Sequence, residues 1–153
     1  MPAEFRSWVY VLMWGAFIFV MSTAFFSDAH TSTIFTPIFH WLWPHADEAT
    51  IRNLNYLTRK AAHLTEYFIF GLLLLGALRG SRHGWSFRWA LASLLIAAAY
   101  SAADEFHQVF VPGRNASPWD SLLDTTGAAA AMLVSWLFFR LHSSITSGKR
   151  TSI

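Results

Sequence analysis

The residues best suited to chemistry lie in segment 104–114, which joins two apolar stretches of the chain. This segment holds two adjacent carboxylates, an imidazole, an amide and a guanidinium: Asp104, Glu105, His107, Gln108 and Arg114. A charged group costs about 2.5–3.5 kcal/mol at the centre of a membrane-spanning helix, so such a cluster needs an explanation. Carboxylates and imidazoles serve as general acids and bases, and they also bind cations such as Mg²⁺, Mn²⁺ or Zn²⁺. The segment is therefore the first candidate for a functional site.

Two further polar motifs flank this segment in the chain. Upstream, Lys60, His63 and Glu66 recur every three to four residues, which places them on one face of a helix. Downstream, Asp120 and Asp124 are four residues apart and also share a helix face. At a rise of ~1.5 Å per residue, Glu66 lies about 9 Å below Lys60. A carboxylate at that depth in a bilayer is not expected to face lipid.

The composition is typical of a polytopic membrane protein. Of 153 residues, 54% are hydrophobic and only 13% are charged, about half the charged fraction of a soluble protein. This length suits one domain, covering residues 1–153. Cysteine is absent, which excludes disulfides and thiolate zinc sites. We expect membrane lipid as a partner and no nucleic acid.

Four apolar segments predict an all-α fold of four transmembrane helices. They cover about 8–26, 59–78, 85–103 and 118–139, each near the ~20 residues needed to cross the hydrocarbon. The 27–58 connection is expected to hold short interfacial helices, one at about 34–43 with Pro37 in its first turn and one at 47–57. Pro118 suits the first position of the last helix.

The distribution of charge predicts how the helices are oriented. Both termini and the 79–88 connection together carry seven basic residues against Glu4, whereas the opposite side carries four basic and eight acidic residues. By the positive-inside rule, both termini lie in the cytoplasm and the polar motifs lie outside. Four short-looped spans form a compact bundle. The outward helix ends should then converge on a pocket about one to two turns deep.

The three polar motifs together resemble the VanZ-like family. They read Arg59-Lys60-x-x-His63-x-x-Glu66-Tyr67, Asp104-Glu105-x-His107-Gln108-x-Phe110-x-x-Gly113-Arg114 and Asp120-x-x-x-Asp124-x-x-Gly127. The resemblance covers about 59–127, and the motifs show no departure from the pattern. It implies a small multi-pass protein of the bacterial inner (cytoplasmic) membrane. The family is named for a member associated with resistance to the glycopeptide teicoplanin, so the resemblance implies a cell-envelope role but no particular reaction.

One hypothesis is a hydrolase or transferase that acts on a lipid-linked envelope precursor. The catalytic candidates are His63, Glu66, Asp104, Glu105 and His107. Lys60, Gln108 and Arg114 are the candidates for substrate binding, since Arg and Lys hold phosphate or carboxylate. A metal-dependent version would bind a divalent cation through Asp104, Glu105, His107, Asp120 and Asp124. A metal-free version would use His63 or Glu66 as the general base.

Two other classes of function stay open from the sequence. A binding module would capture a glycopeptide or a peptidoglycan precursor without turnover, with aromatic residues such as Trp119, Phe110 and Trp43 covering sugar or lipid. A structural or transport protein would use the same charges to lock helix ends or to relay protons. In the structural case, Arg59 or Lys60 would pair with a carboxylate of the later motifs. The substrate, the reaction and the metal dependence are not determined by the sequence.

Overall fold

The computed structural model describes residues 3–23, 28–114 and 116–148. Five α-helices account for most of these residues: α1 Ala3–Met21, α2 Asp28–Leu42, α3 Glu48–Arg79, α4 Phe87–Gln108 and α5 Pro118–Gly148. No strand occurs within these ranges, which confirms the predicted all-α class. The predicted start of the last helix at Pro118 is also confirmed.

The long helices alternate in direction along the bundle. At one end, Ser81 in the turn after α3 donates a hydrogen bond to Glu4 at the start of α1, over 3.2 Å. We call this the basic end, because the arginines of 79–88 lie there. At the other end, Ser22 after α1 donates to Asp104 near the end of α4, over 2.5 Å. We call this the polar end, and α5 begins there.

Small residues allow α3 and α5 to pack closely as parallel neighbours. A Cβ atom added to Gly71 of α3 would lie only 3.2 Å from the Cα of Ala128 in α5. Ala128 and Ala131 are both fully buried in this interface. Close approach of helix backbones through Gly and Ala is the usual way in which helices associate in lipid, where no hydrophobic effect drives them together. The α3–α5 pair is thus the rigid frame for the polar motifs that it carries.

The polarity of α4 is the reverse of that in a soluble protein. Its buried face is small and polar, formed by Ala90, Ser93, Ala97, Ser101, Asp104, Glu105 and Gln108. Its outer face exposes large apolar side chains, including Phe87 and Phe106 at 67% and 68% exposure. Soluble helices bury their apolar stripe instead. Because the outward face suits lipid tails, we interpret the chain as a membrane protein.

Among the described residues, three helices are long and apolar enough to cross a membrane: α1, α3 and α5. α4 has the required length at 22 residues. Its most apolar stretch does not reach the hydropathy of the corresponding stretches in the other three helices, because its inner face carries Ser93, Ser101, Asp104, Glu105 and Gln108.

The predicted short helix at 47–57 is wrong, because this segment is the first part of α3. Asp47 caps α3 by accepting a hydrogen bond from the Thr50 backbone N–H at 2.8 Å, and its hydrogen bonding with Thr50 lowers the pKa of the Asp47 carboxyl. The 48–70 stretch contains neither Pro nor Gly, the two residues that most often end a helix. The surface segment and the apolar segment therefore join in one helix of 32 residues.

The other predicted short helix exists, but it begins earlier than expected. α2 starts at Asp28, so Pro37 lies inside the helix and not in its first turn. A proline there removes one backbone hydrogen bond, and the neighbouring turns keep the helix continuous. At 15 residues, α2 is too short to cross a bilayer. It packs on α3, where the Asn55 amide donates to the Thr36 hydroxyl at 3.0 Å.

Candidate functional site

The residues of all three polar motifs lie at the polar end of the bundle. Asp104, Glu105, Gln108 and Asp124 are buried. The others are partly buried: Lys60, His63, Glu66, His107, Arg114 and Asp120. They come from α3, α4, α5 and the 109–117 connection, and direct contacts link most of them across helices. Each contact determines which groups remain available to a ligand.

His63 of α3 and Asp124 of α5 form the central contact of the site. The Nδ1 atom of His63 lies 3.3 Å from Oδ1 of Asp124, whose side chain is 1% exposed. The other carboxylate oxygen of Asp124 accepts a hydrogen bond from the Ser101 hydroxyl of α4 at 2.8 Å. Ser101 also contacts the Ser121 hydroxyl at 3.1 Å. Nδ1 of His63 and Oδ1 of Asp124 are both buried, and they lie within ion-pair distance without meeting hydrogen-bond geometry. A carboxylate this close to Nδ1 favours the tautomer with the proton on that nitrogen, which leaves Nε2 for proton transfer.

Lys60 and Asp120 form an ion pair one turn nearer the N-terminal ends of the same two helices. Their side chains are 19% and 15% exposed. The Lys60 ammonium also lies 5.1 Å from the centre of the Tyr56 ring. Because Asp120 already balances its charge, Lys60 fixes the register of α3 on α5. It does not line the cavity described below.

Asp104 connects α4 to the end of α1. Its Oδ2 atom accepts hydrogen bonds from the Ser22 hydroxyl at 2.5 Å and from the Gln108 amide at 3.0 Å. Oδ1 of Asp104 is buried and has no hydrogen-bond partner among the described residues. Gln108 is therefore engaged with Asp104 and is itself 4% exposed. His107 packs its ring against Phe19, with 4.9 Å between ring centres.

Glu105 and Arg114 each satisfy the end of a helix. The Glu105 carboxylate accepts a hydrogen bond from the Ser117 backbone N–H at 2.7 Å, which places a negative group at the positive N-terminus of α5. Arg114 donates to the backbone carbonyls of Met21 and Thr23 at the C-terminal end of α1, where a cation is favourable. Arg114 and Ser117 are thereby held against the bundle.

A cavity of ≈ 140 Å³ opens beside His63 at the polar end. Its polar lining comes from Ser22, Thr31, Thr58, Arg59, His63, Glu66 and Arg114. The Glu66 carboxylate makes no hydrogen bond or ion pair with any residue that the structure describes. Two guanidinium groups, one imidazole and one carboxylate thus face the same small space.

An apolar groove adjoins this cavity between α1 and α3. The groove has a volume of ≈ 390 Å³ and is lined by Trp14, Phe17 and Ile69, among others. It shares Glu66 with the cavity. The Trp14 indole N–H donates to the backbone carbonyl of Glu66 at 2.9 Å, which ties α1 to α3 at the boundary. Glu66 therefore lies between a polar chamber and a lipid-facing groove.

The structure does not assemble the divalent-cation site that the sequence suggested. Over residues 3–23, 28–114 and 116–148, no three His, Asp or Glu side chains are grouped as metal ligands. The five predicted ligands act separately: Asp104 binds Ser22, Glu105 caps α5, His107 packs on Phe19, Asp120 pairs with Lys60 and Asp124 contacts His63. In the described part of the chain these five donors are therefore not gathered around one point.

Sequence reasoning missed two residues that complete the site, Ser101 and Ser22, which hold the carboxylates of Asp124 and Asp104. It gave Arg59 only a structural pairing role, whereas Arg59 lines the cavity. The sequence could have indicated Ser101, because this residue precedes Asp104 by three positions and so lies on the same helix face. It could not have indicated Ser22, since a serine at the end of an apolar run is common.

Comparison with known proteins identifies one relationship. A family model described as VanZ/LLP1 matches residues 7–139. The match includes all three polar motifs and extends through α1 and α2, which the motifs do not cover. No curated protein and no solved structure matches the chain.

Proposed function

The chain belongs to the VanZ/LLP1 family, and on this basis we propose that it is a multi-pass inner-membrane protein that processes a lipid-linked cell-envelope precursor. A cell-envelope role of the kind associated with teicoplanin resistance fits the family. The proposed reaction is a metal-free hydrolysis or transfer at a phosphate group. The carrying observation is the contact between His63 and Asp124 at the wall of a cavity that Arg59 and Arg114 also line.

The proposed topology counts α4 as the fourth span. Its 22 residues extend roughly 33 Å, enough for the ~30 Å hydrocarbon core. Its buried polar residues face the other helices and its large apolar residues face outward, and the exposed Arg88 lies in its first turn at the basic end. The middle of α4 therefore does not expose charge to lipid. Both termini then lie on the basic, cytoplasmic side, and the His63 cavity lies on the outer side.

The chemistry follows from the groups that line the cavity. Arg59 binds the phosphate oxygens. Arg114 keeps its hydrogen bonds to the end of α1, and its positive charge offsets the negative charge that grows during attack. His63 Nε2 removes a proton from water, or from an acceptor hydroxyl, as its oxygen bonds to phosphorus. The same proton then goes to the leaving oxygen as the bond between that oxygen and phosphorus breaks. Asp124 orients His63 and stabilises the imidazolium that forms between the two steps.

The shape of the site supports a lipid-linked substrate. The groove lined by Trp14, Phe17 and Ile69 accepts an apolar chain from the side, and it meets the cavity at Glu66. A glycopeptide antibiotic is a poor fit, because the ≈ 140 Å³ cavity is well below the ~300–1,000 Å³ of sites that enclose drug-sized ligands. The cavity has room for a phosphate-bearing head group at the end of a chain.

Capture of the precursor without turnover is the second candidate. It is favoured by the use of Asp104 and Glu105 in joining helices, which leaves His63 and Glu66 as the predicted catalytic residues that line the cavity. A binder needs only the guanidiniums and the groove. The two candidates differ in the role of His63. In the enzyme, His63 is required for product formation, whereas in the binding module it contributes only to folding.

The test uses purified full-length protein in lipid nanodiscs with a polyprenyl diphosphate as the probe. We expect release of phosphate or of a transferred product, with His63→Gln lowering turnover at least about 100-fold while binding of the probe changes little. Arg59→Gln should instead weaken binding. Tight binding with no product in the wild type would favour the capture module. Failure to bind the probe at all would reject both candidates.

A further inference from the structure

A second cavity lies at the basic end, far from the His63 site. Its volume is ≈ 930 Å³, and it lies between the turn after α3 and the last described turns of α5. Its lining includes three arginines and two histidines: Arg79, Arg82, His83, Arg140 and His142. No Asp or Glu is among the described residues that line it. Glu4 approaches the same turn from α1, where it accepts a hydrogen bond from Ser81.

Aromatic rings hold the three guanidinium groups of this cavity. Arg79 lies over Phe139 at 5.1 Å, Arg82 over Trp89 at 5.8 Å and Arg140 over Trp136 at 5.1 Å. Stacking uses the flat face of a guanidinium, whereas its N–H edge is the part that binds phosphate in a bidentate manner. The rings thus position three cations for an anion without competing for the same hydrogen bonds.

A smaller apolar cavity adjoins the basic one. It has a volume of ≈ 150 Å³ and shares Arg79, Trp85 and Phe139 with the larger space. Beyond these residues it continues along Leu72, Leu75 and Gly76 of α3. A Cβ added to Gly76 would meet nothing within 4 Å, so the space beside it is open. The indole N–H of Trp85 is buried there without a hydrogen-bond partner among the described residues.

We propose that the basic end binds an anionic phospholipid. The phosphate lies among Arg79, Arg82 and Arg140, and one acyl chain enters the apolar cavity beside Gly76. The ester carbonyl between them is a suitable acceptor for the Trp85 N–H. The alternative explanation is that these arginines only orient the protein in the membrane, which requires basic residues near the membrane surface and nothing more. That explanation does not account for three arginines around one cavity that is continuous with an apolar cavity. This site is independent of the polar end and of the proposed reaction.

The experiment compares phosphatidylglycerol and phosphatidylcholine with identical acyl chains, titrated into the full-length protein in detergent and followed by tryptophan fluorescence. We expect phosphatidylglycerol to bind at least about tenfold more tightly. The double variant Arg82→Ala/Arg140→Ala should weaken it about 25-fold, at about fivefold for each positive charge removed near an anionic head group. Arg88→Ala is the matched control, because Arg88 lies exposed at the same end but outside the cavity lining. It should leave the affinity unchanged.

A second variant tests the acyl chain independently of charge. Gly76→Leu fills the apolar cavity and should weaken phosphatidylglycerol at least about fivefold, while Gly76→Ala should have a small effect. If the double arginine variant does not fold, Arg82→Gln alone gives the same charge test, with a loss of about fivefold. If Arg88→Ala lowered the affinity for phosphatidylglycerol as much as the cavity variants do, the preference would come from surface charge in general, and the proposal would be overturned. Inorganic phosphate that binds as tightly as the lipid, with no effect of Gly76→Leu, would show a free-phosphate site and overturn it as well.

Discussion

Gly127 of α5 lies directly against the backbone of Leu64 in α3. A Cβ atom added to Gly127 would be 2.4 Å from the Leu64 carbonyl oxygen, 3.2 Å from its carbonyl carbon and 3.3 Å from its Cα. No side chain can be accommodated at 2.4 Å from a backbone atom unless one helix moves. Since Leu64 follows His63 and Gly127 is three residues after Asp124, this contact sets the distance between the imidazole and its carboxylate.

Gly127→Ala should therefore separate α3 from α5 and weaken the His63–Asp124 contact. We expect a loss of about 1–3 kcal/mol in unfolding free energy from overpacking, together with reduced turnover. Thermal unfolding in detergent and the polyprenyl diphosphate assay measure the two effects. Gly76→Ala is the control, because that position is open, and alanine there should leave stability equal or slightly higher. Equal stability of the two alanine variants would contradict the close approach.

The Lys60–Asp120 pair should show energetic coupling in a double-mutant cycle. Both side chains are largely shielded from water, so removing either partner leaves an uncompensated charge. We expect Lys60→Met and Asp120→Asn each to cost about 1–3 kcal/mol, and the double variant to cost clearly less than the sum. Chemical denaturation of the detergent-solubilised protein provides the free energies. Additive effects would show that the two residues act independently.

Removal of divalent cations should leave activity unchanged. The candidate ligands of the polar end are bound to different partners, and Asp104, for example, already accepts two hydrogen bonds through one oxygen. We expect the same product yield after exhaustive treatment with EDTA as in added Mg²⁺ or Mn²⁺. Loss of activity with EDTA, restored by one of these ions, would revive the metal-dependent mechanism and reject the role given to His63.

The stability of the first turn of α3 should depend on pH, because Asp47 caps this helix. The hydrogen bonds with Thr50 lower the pKa of this carboxyl, so the ionised form stabilises the folded helix start. This contribution is fully present above the unfolded pKa of about 3.9 and is lost as pH falls through the lower folded value. Hydrogen exchange at the Thr50 amide should be faster in Asp47→Ala than in the wild type at pH 7. The difference should shrink at pH 3; an equal difference at both values would contradict the cap.

The features that the sequence predicted well are those governed by local chemistry. Pro118 begins α5 because a helix does not need the N–H that proline lacks at that position. Lys60 and His63 share a helix face because of their spacing, and the structure places both against α5. The periodicity of polar residues therefore predicted which side chains point inward, without any knowledge of the helices they meet.

The features that were missed depend on distant segments. Whether 47–57 forms its own helix or extends the next one depends on the absence of a break, which the change from polar to apolar composition obscured. The pairing of Ser22 with Asp104 spans 82 residues, and no local pattern encodes it. Likewise, each predicted metal ligand has the right chemistry. Only the packing shows that Asp120 and Asp124 face α3 while Asp104 faces α1.

The length of α3 has a consequence for access to the site. Its 32 residues form a rod of roughly 48 Å, some 18 Å longer than the ~30 Å hydrocarbon layer. In the proposed orientation this excess projects from the outer surface, and α2 leans on it through the Thr36–Asn55 hydrogen bond. In this orientation α2 and the projecting part of α3 lie between the site and the solvent. A water-soluble molecule must pass under these two helices to reach the site, whereas a lipid can enter from the side through the α1–α3 groove without leaving its leaflet.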